Sequence, residues 1–348
     1  MQTKTPAFAL RASAGRPATA PSSKASAGRP ATVPSSKAAA GSPAVAPGAN
    51  ASEGSPAVAR RAKAGKPRLL VVGCGGVGLG IVARLNRRFR IFATTTSPEG
   101  CVALRRAGAI PIVVDLDQMP AGRLAGLASR VISLVPPPPD GSADPRTARL
   151  LRTLRQPPSH LVYISTTGVY GDRQGQWIDE TAQPNPMTER ARRRLDAERR
   201  MRAAPWQASV LRVPGIYGPG RLPTERLKRA GPAPIAAEDV LTNHIHVDDL
   251  ARICIASLFR AAPRRLYNAV DDSCLYLGEY LDLVADRFGL PRAPRLPREA
   301  LRQAVSEMQF SFFLESRRIG NRRIRDELRL RLRYPTARDG LAAACEAQ

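Results

Sequence analysis

The chain has 348 residues and a formal net charge of +25 at pH 7, with 54 Lys and Arg against 29 Asp and Glu. Its five cysteines, Cys74, Cys101, Cys254, Cys274 and Cys345, are odd in number, scattered and free of any Cys-x-x-Cys pair. That argues against a disulfide framework or a zinc site and predicts a reducing, cytoplasmic setting with no metal. No apolar run approaches the roughly 18–20 residues of a membrane-spanning helix, and Pro6-Ala7-Phe8-Ala9-Leu10 is too short for the core of a signal peptide.

Residues 1–66 carry ten Lys and Arg and one acid, Glu53, a net of +9. Ser13 to Ala25 recurs from Ser26 to Ala38 with Ala20 replaced by Val33, and weaker copies begin at Ala39 and Ser52. The copies hold almost no large apolar side chain, so stacking them would bury nothing. The segment is expected to be a disordered basic tail: a spacer, or an arm making weak, salt-sensitive contact with polyanions. The body, 67–348, is basic in its own right at +16, but Lys228 is its single lysine. An arginine-favouring composition explains that excess as well as a dedicated anionic partner does.

From Arg68 the pattern changes. Leu69 to Val72 reads as a strand buried on both faces, and Val77, Ile81 and Leu85 form the apolar face of a helix. Strands follow at Arg90–Thr94, Ile110–Val114, Val131–Leu134, Leu161–Ile164 and Ser209–Val213. Helices are expected near Glu99–Ala107, Thr188–Met201 and Val247–Phe259, and a mostly helical cap after Leu281. This alternation predicts an α/β fold with a doubly wound parallel sheet of Rossmann type.

The turn between the first strand and helix is Gly73-Cys74-Gly75-Gly76-Val77-Gly78. In that context Gly73 permits the tight turn, Gly75 lets backbone approach a pyrophosphate, and Gly78 lets helix and strand pack closely. Gly76 and Val77 bring free N–H groups at the helix start toward the phosphates. At the end of the second strand, Thr94-Thr95-Thr96-Ser97 offers hydroxyls and no acid. That leans to NADP over NAD, with Thr95 and Thr96 as the residues beside the 2′-phosphate, unless these are ordinary strand-end threonines. Asp115, after the third strand, can meet the adenine amino group or serve as a simple cap.

Three further motifs carry a resemblance: Ser165-Thr166-Thr167-Gly168-Val169-Tyr170-Gly171, then Leu211-Arg212-Val213-Pro214-Gly215-Ile216-Tyr217-Gly218-Pro219-Gly220, then Asn243-His244-Ile245-His246-Val247-Asp248-Asp249-Leu250-Ala251. With the glycine turn, they resemble the extended short-chain dehydrogenase/reductase superfamily, in particular its NAD-dependent epimerase/dehydratase family. The glycine spacing is that of its atypical members. The resemblance runs from about Arg68 to about Ala343. It implies a sheet of about seven strands and a small C-terminal substrate lobe built mainly from 172–188, 219–245 and 275–348. It also implies a small-molecule substrate and a homodimer.

In that family Ser/Thr, Tyr and Lys carry the chemistry. Thr166 falls at the Ser/Thr position. Where the Tyr-x-x-x-Lys pair belongs, the chain has Arg190 and Arg194, and no such pair exists in the body. Arginine stays protonated and cannot be a general base. Arg194 is left to hold a ribose hydroxyl or a phosphate. The first substitute base is Tyr170, unless its ring packs under the loop. Tyr217 is the second. His246 is a third, although His246-Val247-Asp248-Asp249 also reads as a helix start capped by Asp248. Arg212, Arg221 and Arg318 are candidates to hold an anionic substrate.

The leading expectation is an NAD(P)-dependent oxidoreductase or epimerase acting on a small carbonyl or sugar-nucleotide-like substrate. The alternative is a non-catalytic NAD(P)-binding redox sensor or regulatory protein. A nucleic-acid role through the tail and the helix Arg190–Arg202 is a third reading, weakened by Glu189, Asp196 and Glu198 among its arginines and by the lack of stacking aromatics.

Overall fold

Arg68–Val72 forms strand β1 because its apolar side chains are needed on both sides. In this computed structural model Leu69 and Val71 enter one core cluster and Leu70 and Val72 the other, and all four are sealed from water. The structure describes residues 65–118, 120, 122–154 and 158–346. The tail predicted for 1–66 lies, but for its last two residues, outside them.

β1 sits inside a parallel seven-stranded sheet with β2 (Arg90–Thr95), β3 (Ile110–Val113), β4 (Arg130–Ser133), β5 (His160–Thr166), β6 (Ala208–Val213) and β7 (Leu266–Asn268). The spatial order is β7-β6-β5-β4-β1-β2-β3. Register is set by pairs such as Leu70 with Phe92 on one side and Leu70 with Val131 on the other. The order reverses between β1 and β4, where the carboxyl ends of the strands leave a crevice for a ligand.

Helices cover both faces. α1 (Gly76–Leu85) and α6 (Val247–Arg260) pack on one side, with Val77, Ile81, Leu250 and Ile253 in the same cluster. α2 (Pro98–Arg106) joins that face through Leu104, and the Ser97 hydroxyl caps it by accepting from the Gly100 N–H at 3.1 Å. α3 (Pro145–Leu154) and α4 (Glu189–Ala203) cover the other face with Leu150, Leu154, Ala197 and Met201. α5 (Thr224–Lys228), α7 (Leu277–Phe288), α8 (Arg298–Ala304), α9 (Glu307–Ser311) and α11 (Ala337–Glu346) belong to a smaller lobe. Its core joins Leu227, Tyr280, Leu281, Val284 and Leu341, with a satellite of Leu301, Phe310 and Phe313.

In the sheet and the helices covering it, two elements escape the sequence reading, α3 and β7, and in the lobe α5 does. A further difference concerns α10 (Arg322–Asp326): Ile324, Leu328 and Leu330 pack into the α1/α6 face, so this stretch supports the sheet and not the lobe. Among the described residues no helix is long and apolar enough to cross a membrane, and no group of three or more His, Cys, Asp or Glu could hold a metal ion.

Candidate active site

The glycine turn is built for close approach. Gly73 has φ +77°, and a Cβ there would stand 2.5 Å from the Val135 side chain. A Cβ on Gly78 would meet the Cys74 sulfur at 2.5 Å and Leu134 at 3.1 Å, which is why α1 can lie against β1 and β4. Gly75, the N-cap of α1, has nothing within 4 Å of its missing Cβ. The first N–H groups of α1, at Gly76, Val77 and Gly78, have no partner within a helix and carry its partial positive charge. The Val77 side chain itself is buried in the core. Cys74 is the turn's only thiol, and burial pushes it up to about 12, so it stays a neutral packing group.

A cleft of about 420 Å³ opens beside this turn, lined by Gly73, Gly75, Thr94, Thr95, Thr96, Asp115, Val135 and Arg146, among others. The four hydroxyls at the end of β2 are not equivalent. Thr94, buried, accepts from the Gly73 N–H at 2.8 Å and so holds the turn. Thr95 accepts from the Ser97 N–H at 3.3 Å, Ser97 caps α2, and Thr96 is exposed. Asp115 accepts from the Asp117 N–H at 2.8 Å through one oxygen only. Arg146 is held by Asp117, whose carboxyl it draws below the usual range. The open space at Gly75, the unpaired N–H groups and the absence of an acid at Thr94–Ser97 fit a dinucleotide, with its pyrophosphate on α1 and its adenosine in this cleft.

A second cavity, of about 540 Å³, lies between the carboxyl ends of β5 and β6 and the lobe. Thr166 to Gly168, Pro214 to Ile216, Thr242 to His244, Tyr280 and Phe312 line it. Its charged walls are Arg190, Arg221, Arg226 and Arg317 against a single acid, Glu315. Thr166 accepts from the Gly168 N–H at 3.2 Å, which fixes its hydroxyl at the cavity floor. Arg190 stands over the Phe312 ring at 4.6 Å, and its partial burial lowers its affinity for a proton without bringing it into a base's range.

The substitute bases do not face this cavity. Tyr170 is fully buried, donates to Asn268 Oδ1 at 2.7 Å and lies under the Arg212 guanidinium at 4.4 Å. Burial pushes its phenol up more than Arg212 draws it down, so the ring is packed beneath the loop, as the plainer sequence reading has it. Tyr217 is buried and donates to the Thr336 carbonyl at 3.1 Å. His246 is itself the cap of α6: its Nδ1 accepts from the Asp248 N–H at 3.2 Å, while Asp248 pairs with Arg84. The cap expected at Asp248 thus falls two residues earlier, on His246.

The arginines also separate. Arg212 is buried, paired with Glu198 at 2.8 Å, and does not line the cavity. Arg318 donates to the Gly175 carbonyl at 3.0 Å and lines a different hollow. Arg194 donates to the Ile164 carbonyl at 2.8 Å and the Tyr163 hydroxyl at 3.2 Å on β5, and to the Val135 carbonyl just beyond β4 at 3.4 Å, so it stitches the ends of β4 and β5 together. Only Arg221 of the three substrate candidates reaches the cavity.

Sequence reasoning passed over His244 and Tyr280. Their rings stack at 4.1 Å. Burial lowers His244 to about 4, so it is neutral at physiological pH, and its Nδ1 has no partner. Burial raises Tyr280, which keeps its proton. His244 stood in a motif already singled out, so it was within reach; Tyr280, Phe312 and Arg317 carry no local signal.

This sheet order with a glycine turn at the switch point defines an α/β protein of Rossmann type. Residues 146–269 match the model of the NAD dependent epimerase/dehydratase family, and the chain belongs to that family. The protein YeeZ of Escherichia coli (strain K12) is 28% identical over 220 residues, 58% of this chain and 76% of that protein. The structure of a functionally unknown conserved protein from Silicibacter pomeroyi is 31% identical, with a TM-score of 0.71 over 81% of this chain and 99% of that one. The human epimerase family protein SDR39U1 with NADPH shares the fold at 17% identity and a TM-score of 0.64, over 81% of this chain and all (100%) of that one. MoeE5 in complex with UDP-glucose and NAD does so at 22% identity and a TM-score of 0.64, over 80% and 97%.

Proposed function

We propose that this chain binds NADP, or NAD, and reduces or epimerises a small anionic carbonyl or sugar-nucleotide-like substrate in the cavity above β5 and β6. The observation that carries the reading is that cavity: Thr166 on its floor, four arginines on its walls, and the glycine turn beside it.

Gly73, Gly75, Gly76, Val77 and Gly78 would hold the cofactor's pyrophosphate, and Thr95, Thr96 and Asp115 its adenosine end. When bound, the nicotinamide ring supplies hydride exchange. Thr166 donates a hydrogen bond to the substrate oxygen. Arg190, at the family's tyrosine position, cannot take a proton but stabilises negative charge growing on that oxygen. As the carbonyl carbon gains hydride, its π pair moves to oxygen. Tyr280, protonated on the opposite wall, is the group available to donate the proton. Arg226 and Arg317 suit a carboxylate or phosphate on the same substrate. Arg194 orders the strand ends beneath.

The test is oxidation of NADPH and NADH by the full-length chain with a panel of carbonyl compounds, including nucleotide sugars. Turnover is expected with at least one anionic member. Arg190→Ala should then lower kcat roughly 100- to 1,000-fold, whereas Tyr170→Phe should leave it within about twofold. A second reading, non-catalytic binding by a redox sensor or regulatory protein, draws on the absence of the Tyr/Lys pair and the burial of Tyr170. Dinucleotide binding with no turnover across the panel would favour it.

A further inference from the structure

Arg221 is on the lobe side of the molecule, yet its guanidinium stands over the start of α1. One terminal nitrogen lies 3.4 Å, and Nε 3.8 Å, from where a Cβ on Gly76 would be. The backbone is shaped to bring it there. Gly218 and Gly220 both take positive φ, +126° and +69°, and the Arg221 N–H donates back to the Gly218 carbonyl at 3.0 Å.

The position is electrostatically unfavourable for a cation. The N-terminus of α1 carries a partial positive charge, its first turn contains no acid, and a cation there is repelled. Arg84 on α1, Arg146 beside the glycine-turn cleft and Arg317 in the cavity each pair with a carboxylate, of Asp248, Asp117 and Glu315 respectively, while Arg190 and Arg226 lie against aromatic rings. Among the described residues the exposed Arg221 guanidinium has no such partner. A cation held beside the positive end of a helix is stabilised when an anion is shared between the two.

Resting on the dinucleotide-binding reading, we propose that Arg221 is a clamp on the cofactor's diphosphate, closing from the substrate lobe onto the glycine turn. The diphosphate then lies between the N–H groups of Gly76 to Gly78 and the guanidinium. Because Arg221 also lines the substrate cavity, cofactor binding draws the segment from Gly218 through α5 onto the cavity edge. The lobe is thereby ordered before substrate enters.

The experiment measures affinity of the full-length chain for NADPH, NADH and ADP-ribose by calorimetry, with adenosine as the phosphate-free probe. Arg221→Ala should weaken all three diphosphates roughly 10- to 100-fold, in line with loss of a charge-assisted hydrogen bond. It should leave adenosine unchanged and flatten the salt dependence of binding. Arg221→Lys should recover part of the loss. Arg229→Ala, which removes an exposed arginine farther along the same segment, should change affinity less than twofold. Amide exchange across 218–228 should slow on NADPH binding in the wild type and not in Arg221→Ala. Dinucleotide affinities unaltered in Arg221→Ala, or lowered equally by Arg229→Ala, overturn the clamp while leaving the proposed function standing. Loss of UDP-glucose binding alone would assign Arg221 to the substrate and likewise overturn it. A wild-type chain that binds none of the three diphosphates removes the dinucleotide reading itself.

Discussion

Arg212 on β6 and Glu198 on α4 form an ion pair with both side chains sealed from water, at 3% and 2% exposure. Glu198 also accepts from Ser165 at 2.5 Å, and Arg212 covers the Tyr170 ring. One carboxylate therefore ties β5, β6 and α4 together directly beneath the cavity. Replacing it leaves a buried cation without a counter-charge. Glu198→Ala should lower unfolding free energy by about 3–5 kcal/mol, read by chemical denaturation. A loss under about 1 kcal/mol would mean that water reaches Arg212 and that the pair is not the anchor described.

The pH response contains two opposing contributions. His244, lowered from 6.5 to about 4 by burial, binds its proton less readily folded than unfolded, so stability falls as pH drops from 6.5 toward 4. Asp271, raised from 3.8 to about 7 chiefly by burial, keeps its proton better folded than unfolded, so its contribution is lost as pH rises from 4 toward 7. Each is on the order of 3 kcal/mol when fully developed. Wild-type stability should be nearly flat between pH 4.5 and 6.5, roughly the shared window of the two shifts. Asp271→Asn should give stability that climbs with pH there, and His244→Gln stability that declines. Parallel curves for all three proteins would show that neither group is desolvated.

Turn and sheet were legible because their causes are local. Leu69 to Val72 alternates between two cores, and Gly73 and Gly78 answer to Cys74 in the turn itself or to Leu134 and Val135 at the end of the adjacent strand β4. α3 had a readable start, Pro145 behind Asp144, whose carboxylate accepts from the Arg146 N–H at 3.0 Å. The proline run before it masked that signal. β7 has three residues, too few to show a period. Tyr170 was ambiguous because it ends the short helical turn Thr167–Tyr170, and only the partner across the sheet, Asn268, decides which way the ring turns. Tyr280, Phe312 and Arg317 meet only after the lobe folds over the strand ends, so no spacing announces them.

Two glycines of the turn should separate folding from binding. A methyl on Gly75 meets nothing, and its φ of −91° suits alanine, so Gly75→Ala should unfold within about 0.5 kcal/mol of wild type while losing at least about tenfold in NADPH affinity. A methyl on Gly78 strikes the Cys74 sulfur, and Gly78→Ala should cost about 1–3 kcal/mol. Thermal unfolding and calorimetric titration of both variants check this. Equal NADPH affinity for Gly75→Ala and wild type would place the pyrophosphate elsewhere.

The proposed preference for a 2′-phosphate rests on what stands at the end of β2. Thr94 is committed to the turn and Ser97 to α2, so Thr95 and the exposed Thr96 are the hydroxyls facing the cleft. Neither repels a phosphate. Thr96→Asp sets a carboxylate a few ångströms from a dianion at an exposed site. There the repulsion is about 1–2 kcal/mol, intermediate between water and a protein surface, or roughly tenfold in affinity. NADPH binding should weaken by that factor while NADH binding holds or improves, because a carboxylate accepts from a ribose hydroxyl. An equal loss for both dinucleotides would show that Thr96 supports the cleft's shape and does not read the ribose. A wild-type chain that prefers NADH would assign the threonines to strand packing alone.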